Sequence, residues 1–81
     1  MKLTVIIPVY NEEKTIETLI TKVINNKYKD KEIIIVDDFS DDDTFKKINK
    51  YSDLPEIKII RHEKNKGKGA CLRSAMKKIT G

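Results

Sequence analysis

Two runs of apolar, mostly β-branched residues limit the folds open to this chain. The first covers Leu3–Val9, with Pro8 near its end, and the second covers residues 33–36. Strands that are apolar throughout, and not only at alternate positions, are covered on both faces, as in parallel sheets. Because proline cannot donate a hydrogen bond to a neighbouring strand, we expect Pro8 to lie at the end of its strand. A third run, Ile57–Arg61, is shorter and more polar, which predicts a strand nearer the sheet edge.

Three helical patterns alternate with these runs. The clearest follows the first strand and places apolar residues at spacings of three and four: Ile16, Leu19, Ile20, Val23 and Ile24. Such a stripe predicts a helix that lays one face on the sheet. Shorter stripes follow the other two strands: Phe45, Ile48 and Tyr51, then Leu72, Ala75, Met76 and Ile79. We expect Asn11 to cap the first helix, Ser40 or Asp42 to cap the second, and Gly81 to lie at the end of the third.

Strand and helix therefore alternate three times within 81 residues, a length that suits one small domain. Short connections between such units favour right-handed crossovers and a parallel sheet. We predict an α/β fold, a three-layer Rossmann-like parallel sheet built from three β-α units. Ligands of such sheets bind outside the carboxyl ends of the strands. Three loops lie at that edge, and we call residues 8–13 the first loop, 37–43 the second loop and 63–69 the third loop.

Charge is divided unevenly among these loops. The second loop holds five aspartates and no cation, whereas seven Lys or Arg and a single Glu occur from Arg61 onward. The third loop alternates lysines with glycines just before a helix, at Lys64, Lys66, Gly67, Lys68 and Gly69. Cations, close backbone approach and the free N–H groups of a helix start together suit a phosphate.

The first two loops suit the uncharged parts of a nucleotide. The first loop has no glycine and carries Glu12 and Glu13, so it lacks the dinucleotide fingerprint and would repel a phosphate. Tyr10 offers a ring face to a base, and Asp37 and Asp38 can accept hydrogen bonds from a base or a ribose. The sequence therefore predicts a nucleotide site with base and ribose at the first two loops and phosphates at the third.

Each of these features also has a purely structural explanation. Tyr10 can simply cover the end of a strand, an aspartate run is usually a solvated helix start, and alternating Lys and Gly usually form a surface turn. The nucleotide interpretation depends on all three loops lying at one edge of one sheet. We expect His62 to be an ordinary surface residue. We expect Cys71, the single cysteine, to be a packing residue in a reducing compartment.

No apolar run reaches the ~18 residues of a membrane span, and the start of the chain lacks a signal-peptide cleavage site. The few aromatic residues do not interleave with the basic ones, so we expect no nucleic-acid partner.

Three blocks of the sequence resemble the family 2 glycosyltransferases, the group that includes the dolichyl-phosphate mannosyl- and glucosyltransferases. The blocks are Val-Ile-Ile-Pro-Val-Tyr-Asn-Glu-Glu at 5–13, Glu-Ile-Ile-Ile-Val-Asp-Asp-Phe-Ser-Asp-Asp-Asp-Thr at 32–44, and Asn-Lys-Gly-Lys-Gly-Ala at 65–70. They follow the order and spacing of the family, and together they are far more specific than any one block. The resemblance implies the GT-A fold, with the first three strands in the order 3-2-1, and a nucleotide-diphosphate-sugar donor.

The resemblance also implies a nucleotide-binding site made by Pro8, Tyr10, Glu12, Asp37, Asp38 and Lys68. Pro8 and Tyr10 would line the base pocket with Glu12 beside it. Asp38 would accept a hydrogen bond from the base, with Asp37 as its neighbour, and Lys68 would face the donor phosphates.

Two positions depart from the family pattern, because Phe39 and Asp43 stand where the family often has glycine. We expect Phe39 to affect mainly the shape of the loop. The family's metal-binding Asp-x-Asp motif normally follows a position like Gly81, and the catalytic base comes later still. The run at 41–43 precedes a helix and is not that motif. The chain is therefore assigned no catalytic residue, metal ligand or cofactor, and a divalent metal, Mg²⁺ or Mn²⁺, is expected for the complete enzyme.

These expectations describe residues 1–81 as the N-terminal nucleotide-sugar-binding part of an incomplete glycosyltransferase domain. The parent enzyme would transfer a hexose to a polyprenyl phosphate, and this chain alone would be inactive. The alternative is a stand-alone nucleotide-binding or interaction module without catalysis. We expect a cytoplasmic protein, with any membrane contact made by missing parts at the cytoplasmic face. We also expect self-association through the first strand, which would be an unprotected edge.

Overall fold

The computed structural model describes residues 3–27 and 30–79 and contains three β-α units. The elements, in chain order, are β1 Leu3–Val9, α1 Ile16–Ile24, β2 Lys31–Asp37, α2 Thr44–Asn49, β3 Ile57–Arg61 and α3 Lys68–Met76. All three strands are parallel and lie in the order β1-β2-β3. This arrangement confirms the predicted α/β fold and strand order.

The carboxyl ends of the three strands lie level with one another. Val9 of β1 pairs with Asp37 of β2, and Asp37 pairs with Arg61 of β3. The chain leaves each strand just after this row, so the first, second and third loops begin side by side. The register thus brings together three segments that are far apart in the sequence.

The central strand β2 is buried on both faces, which explains its unbroken apolar sequence. One face carries Ile33 and Ile35 into a core beneath α1 and α2. The other face carries Ile34 and Val36 into a smaller core beneath α3. Side chains of a strand alternate between its faces, so four consecutive apolar residues supply both cores of a three-layer structure.

Pro8 lies within β1, one residue before its end, and not beyond it. The N–H of Leu3 donates to the Asp30 carbonyl, and the Val9 carbonyl accepts from the N–H of Asp38. Alternate residues of a strand bond to the same neighbour, so residues 3, 5, 7 and 9 bond toward β2. The N–H that Pro8 lacks would point away from β2, and the proline therefore removes no hydrogen bond of this sheet.

The residues through which helix α3 contacts the sheet differ from the predicted ones. Ala75 is buried as expected, together with Cys71, but Leu72 is 47% and Met76 is 64% exposed. Cys71 and Ala75 lie one turn apart and have short side chains, which lets α3 pack on Ile34 and Val36. The larger side chains consequently lie on the flank of the helix. Ile79 lies beyond the end of α3 and is also exposed, and Gly81 lies outside the described residues.

The observed helix caps differ from the predicted ones. Asn11 does not cap α1, which begins at Ile16 after a turn in which the Glu12 carbonyl accepts the N–H groups of Thr15 and Ile16. The N-cap residue of α2 is Asp43, while the preceding Asp42 accepts a hydrogen bond from the N–H of Thr44, the first helical residue, at 2.9 Å. Ser40 does not cap the helix, because its side chain bonds within the loops.

No helix within residues 3–27 or 30–79 has the length and apolar character needed to cross a bilayer.

The buried face of α1 should be far more sensitive to truncation than its flank. Ile20 is fully buried in the core with Ile16, whereas its neighbour Leu19 is 38% exposed. We expect Ile20→Ala to lower the free energy of unfolding by about 2–5 kcal/mol, through lost apolar burial and the cavity left behind. The matched Leu19→Ala should cost less than about 1 kcal/mol. Urea unfolding followed by circular dichroism measures both, and equal losses would contradict the assigned helix face.

Candidate functional site

A cleft of about 250 Å³ opens at the carboxyl ends of the strands. Its lining residues are Pro8, Val9, Tyr10, Glu12, Asp38, Lys68 and Cys71. The lining includes every site residue predicted from the sequence except Asp37. The cleft lies between the first loop, the end of β2 and the start of α3, where the level strand ends bring these segments together.

Hydrogen bonds tie the first loop to the second loop and to the start of α2. Asn11 adopts a left-handed conformation with φ of 50°, which asparagine tolerates better than most residues. Its N–H donates to Ser40 Oγ, and its Oδ1 accepts from the N–H of Asp41, both at 2.9 Å. The N–H of Glu12 donates to Thr44 Oγ1 at 2.8 Å. These bonds hold the loop in place, while the Tyr10 side chain remains 46% exposed at the cleft.

Asp37, the remaining predicted site residue, does not line the cleft. Its carboxylate is fully buried and accepts hydrogen bonds from both the hydroxyl and the N–H of Ser40. Arg61 Nε lies 3.3 Å from Asp37 Oδ2, and the same guanidinium donates to the Ser40 carbonyl. The Arg61 guanidinium also lies over the Phe45 ring, 4.5 Å from its centre. Asp37 therefore shapes the second loop from within.

The backbone conformation of Phe39 explains why glycine suits this loop position. Its φ is 64°, in the left-handed region, and its side chain is exposed. A non-glycine residue there carries a strain of roughly 1–2 kcal/mol. The phenylalanine therefore fits the loop at a cost in stability, and the loop retains the conformation that a glycine would adopt freely.

Asp38 fastens the third loop to the end of β2. Its Oδ1 accepts hydrogen bonds from His62 Nδ1 and from the N–H of Lys66, and its Oδ2 accepts from the N–H of Gly67, all at 2.8 Å. Burial is the largest single influence and favours a higher pKa. The hydrogen bonds from His62, Lys66 and Gly67 together outweigh it and hold the pKa of Asp38 below its usual 3.8. The carboxyl group is therefore ionised at neutral pH.

His62 is buried, and its prediction as a surface residue was wrong. Only 6% of the residue is exposed, and its Nε2 lies 2.8 Å from Ser74 Oγ on α3. The physical reason lies in the register, because Asp37 pairs with Arg61 and the next residues, Asp38 and His62, therefore lie side by side. The sequence signal available was the position of His62 directly after the predicted third strand.

The third loop presents its lysines to solvent at the start of α3. Gly67 has φ of 88° and immediately precedes Lys68, the first residue of the helix. Lys64, Lys66 and Lys68 are all exposed. A helix start carries N–H groups without intrahelical partners and a partial positive charge, so this segment has the electrostatic character of an anion site.

Asp38, His62 and Cys71 form a buried cluster whose possible ligand atoms lie within 4.8 Å of one another. Burial, followed by the nearby charges of Asp38 and Asp37, raises the pKa of the Cys71 thiol. Mg²⁺ and Mn²⁺ prefer oxygen ligands, so a cluster with a thiol and an imidazole does not fit the metal expected for the complete enzyme. The described contacts instead satisfy Asp38 and His62 through hydrogen bonds.

Replacing the Asp38 carboxylate should loosen the fold in a pH-dependent way. Asp38→Asn turns an amide NH₂ toward groups that are themselves donors. We expect it to lower the free energy of unfolding at pH 7 by about 1–3 kcal/mol, and the matched Asp43→Asn, at an exposed position, by less than about 0.5 kcal/mol. Because the pKa is lowered on folding, this stabilisation is present above pH 3.8 and is lost as the pH falls through the lowered value. Urea unfolding at pH 7 and pH 3 tests this. An Asp38→Asn effect that stays constant between the two would contradict it.

Comparisons with known proteins agree with this geometry. The model of the family "Glycosyl transferase family 2" matches residues 4–81. The dolichol-phosphate mannosyltransferase of Pyrococcus furiosus is 37% identical over 82 residues, which cover 100% of this chain and 23% of the relative. The chain thus spans about a quarter of the length of that relative.

Solved structures show the same fold. The mannosyltransferase PcManGT of Pyrobaculum calidifontis, in complex with GDP-Man and Mn²⁺, superposes with a TM-score of 0.88 at 27% identity, over 98% of this chain and 24% of its own. Residues 1–349 of Staphylococcus aureus TarS, in complex with UDP, give a TM-score of 0.88 at 33% identity, over 100% of this chain and 25% of that one. The family match, the strand order and these superpositions confirm the resemblance seen in the sequence, and the chain belongs to the family 2 glycosyltransferases with the GT-A fold.

Proposed function

We propose that this chain binds the nucleotide of a nucleotide-diphosphate-sugar donor, as the nucleotide-binding part of a glycosyltransferase. The observation that carries the proposal is the single cleft that joins Pro8, Tyr10, Glu12, Asp38 and Lys68. An aromatic ring, an ionised carboxylate and a lysine are the groups that a base, its N–H donor and a phosphate would require. They come from three segments that only the sheet register brings together.

The base would bind against Tyr10 and donate to Asp38. An ionised carboxylate has about four lone-pair sites, and the hydrogen bonds from His62, Lys66 and Gly67 occupy three of them. One site on Asp38 is therefore left for a donor in the cleft. Uracil and guanine both offer a ring N–H, so an acceptor at this position suits either base. The carboxylate excludes a phosphate from the same place.

The phosphates would bind at the third loop. Lys68 lines the cleft and stands at the start of α3, where the helix dipole favours an anion. A Cβ added to Gly67 would meet no atom within 4 Å, so the space beside this backbone is open to a ligand. The cleft of about 250 Å³ is smaller than the ~300–1,000 Å³ of sites that enclose a whole drug-sized ligand. The sugar would therefore extend beyond it.

The complete protein would supply the remaining chemistry of sugar transfer. A polyprenyl phosphate acceptor is supported by the name of the Pyrococcus furiosus relative, a dolichol-phosphate mannosyltransferase. A divalent metal, Mg²⁺ or Mn²⁺, is supported by the Mn²⁺ in the PcManGT complex. In the complete enzyme this metal would offset the charge of the donor phosphates. The residues described here would bind and orient the nucleotide. The cytoplasmic location stays a prediction.

Titration with UDP and with GDP tests the site. We expect millimolar to high-micromolar binding that shifts the amide NMR signals of the first, second and third loops. Lys68→Gln should weaken diphosphate binding by about two- to fivefold, since one exposed charge contributes up to about 1 kcal/mol. The matched Lys46→Gln, on α2, should leave the Kd unchanged. Shifts confined to residues outside the three loops, or equal effects of the two lysines, would contradict the site.

We also propose that two copies associate through β1. Among the described residues, β1 pairs with β2 alone, so its other edge carries unpaired backbone groups beside apolar side chains. Such an edge is a template for pairing with another chain. Leu3 is exposed at its start, and Lys2, the one nearby charge in the sequence, lies outside the described residues.

Light scattering across a concentration series measures this association. We expect the apparent mass to rise with concentration for the natural chain. Leu3→Lys places a charge at the exposed start of β1 and should reduce the association at least severalfold. Thr18→Lys adds the same charge on the exposed surface of α1 and should have no such effect. A natural chain that stays monomeric at millimolar concentration would overturn the proposal.

A further inference from the structure

The buried His62 side chain joins three separate parts of the site. Its Nδ1 lies 2.8 Å from Asp38 Oδ1, and its Nε2 lies 2.8 Å from Ser74 Oγ on α3. Its backbone N–H donates to the Asp37 carbonyl at 2.9 Å, which continues the sheet beyond the end of β3. His62 does not line the cleft. A buried imidazole with both nitrogens bonded therefore lies behind the site and outside its ligand-facing wall.

The chemistry of Asp38 gives the bond from His62 a direction. An ionised carboxylate can only accept, so His62 Nδ1 carries the proton that bonds to Asp38. Ser74 Oγ can either donate to Nε2 or accept from it, so the outer bond forms in either protonation state of the ring. The hydrogen bonds link Ser74 through His62 to Asp38. Each step fixes the orientation of the next side chain, as outer hydrogen-bond partners do for other functional groups.

The conformation of the third loop depends on the Asp38 carboxylate, at which this series of hydrogen bonds ends. Residues 63–69 are exposed throughout, so no buried side chain of their own holds their conformation. The Asp38 carboxylate receives the N–H groups of Lys66 and Gly67 just before α3 begins. The hydrogen bond from His62 orients that carboxylate. The bond between His62 and Ser74 also holds α3, one to two turns beyond the start of the helix. The loop is thereby held on both sides.

We propose that His62 is a positioning residue for the phosphate-binding part of the site. It acts through Asp38 and Ser74 to place the Lys66–Gly67 backbone and Lys68 where the diphosphate of a nucleotide binds. The inference rests on the proposed nucleotide-binding function, because that function assigns the phosphates to the third loop. It predicts that His62 governs affinity for a nucleoside diphosphate more strongly than affinity for the nucleoside alone.

Three variants separate positioning from simple burial. His62→Leu fills most of the volume without any hydrogen bond. His62→Asn retains a donor close to the place of Nδ1 and can still bond to Asp38. Ser74→Ala removes only the outer bond. For each variant, the Kd is measured by NMR titration with UDP and uridine, and with GDP and guanosine, and circular dichroism reports the folded fraction.

We expect His62→Leu to weaken diphosphate binding about tenfold and nucleoside binding no more than about threefold. His62→Asn should restore diphosphate binding to within about threefold of the natural chain, and Ser74→Ala should fall between. A merely structural role would scale both affinities by the same folded fraction. Equal losses for the two ligands, or His62→Leu with unchanged diphosphate affinity, would overturn the proposal.

Amide hydrogen exchange of the free chain gives a readout that needs no ligand. In His62→Leu the amides of Lys66 and Gly67 should exchange at least tenfold faster, whereas those of the central strand β2 should keep their protection. Unchanged protection of Lys66 and Gly67 would overturn the positioning role. If the natural chain binds no nucleotide at all, the proposed function fails, and the exchange data still decide whether His62 holds the loop.

Discussion

The rest of the site depends on the hydrogen bonds that the buried Asp38 carboxylate accepts. The carboxylate receives donors from His62, just past the end of β3, and from the backbone of Lys66 and Gly67 before α3. A buried charge is costly unless its lone pairs are satisfied, so these donors stabilise the ionised carboxylate in the folded chain. The same hydrogen bonds hold the lysine-rich loop beside an acidic one, which would otherwise have no packed core to hold it.

The sheet makes this arrangement possible because the centre of β2 is packed on both faces. Four apolar residues of β2 are completely buried, two on each face, between α1 and α2 on one side and α3 on the other. The two aspartates that follow are therefore held at a defined height and project in different directions. Asp37 turns inward to bond to Ser40 and Arg61, and Asp38 meets the third loop. One strand end thus supplies both the internal support of the second loop and a wall of the cleft.

The different positions of these two aspartates bear on the proposed nucleotide site. Asp38 has donors on three of its lone-pair sites, so the orientation of its remaining site is set before any ligand binds. A pre-oriented acceptor loses little conformational freedom on binding. The proposed phosphate site is different, because Lys64, Lys66 and Lys68 are exposed and the anchored backbone N–H groups are those of Lys66 and Gly67. The proposed base site is therefore more rigidly built than the proposed phosphate site.

The sequence by itself determined the three strands, the alternation of strands and helices, and the cleft residues Pro8, Tyr10 and Lys68. Periodicity, β-branching and the family's motifs are local properties of the chain, and strand ends lie at one edge whatever the packing details. Only the tertiary structure decided that His62 is buried, that Asp37 is buried away from the cleft and that α3 packs through Cys71. These outcomes depend on partners distant along the chain, such as Asp38 for His62 and Ile34 for Cys71. Strand register and helix position decide which partners meet, and no local pattern encodes either of them.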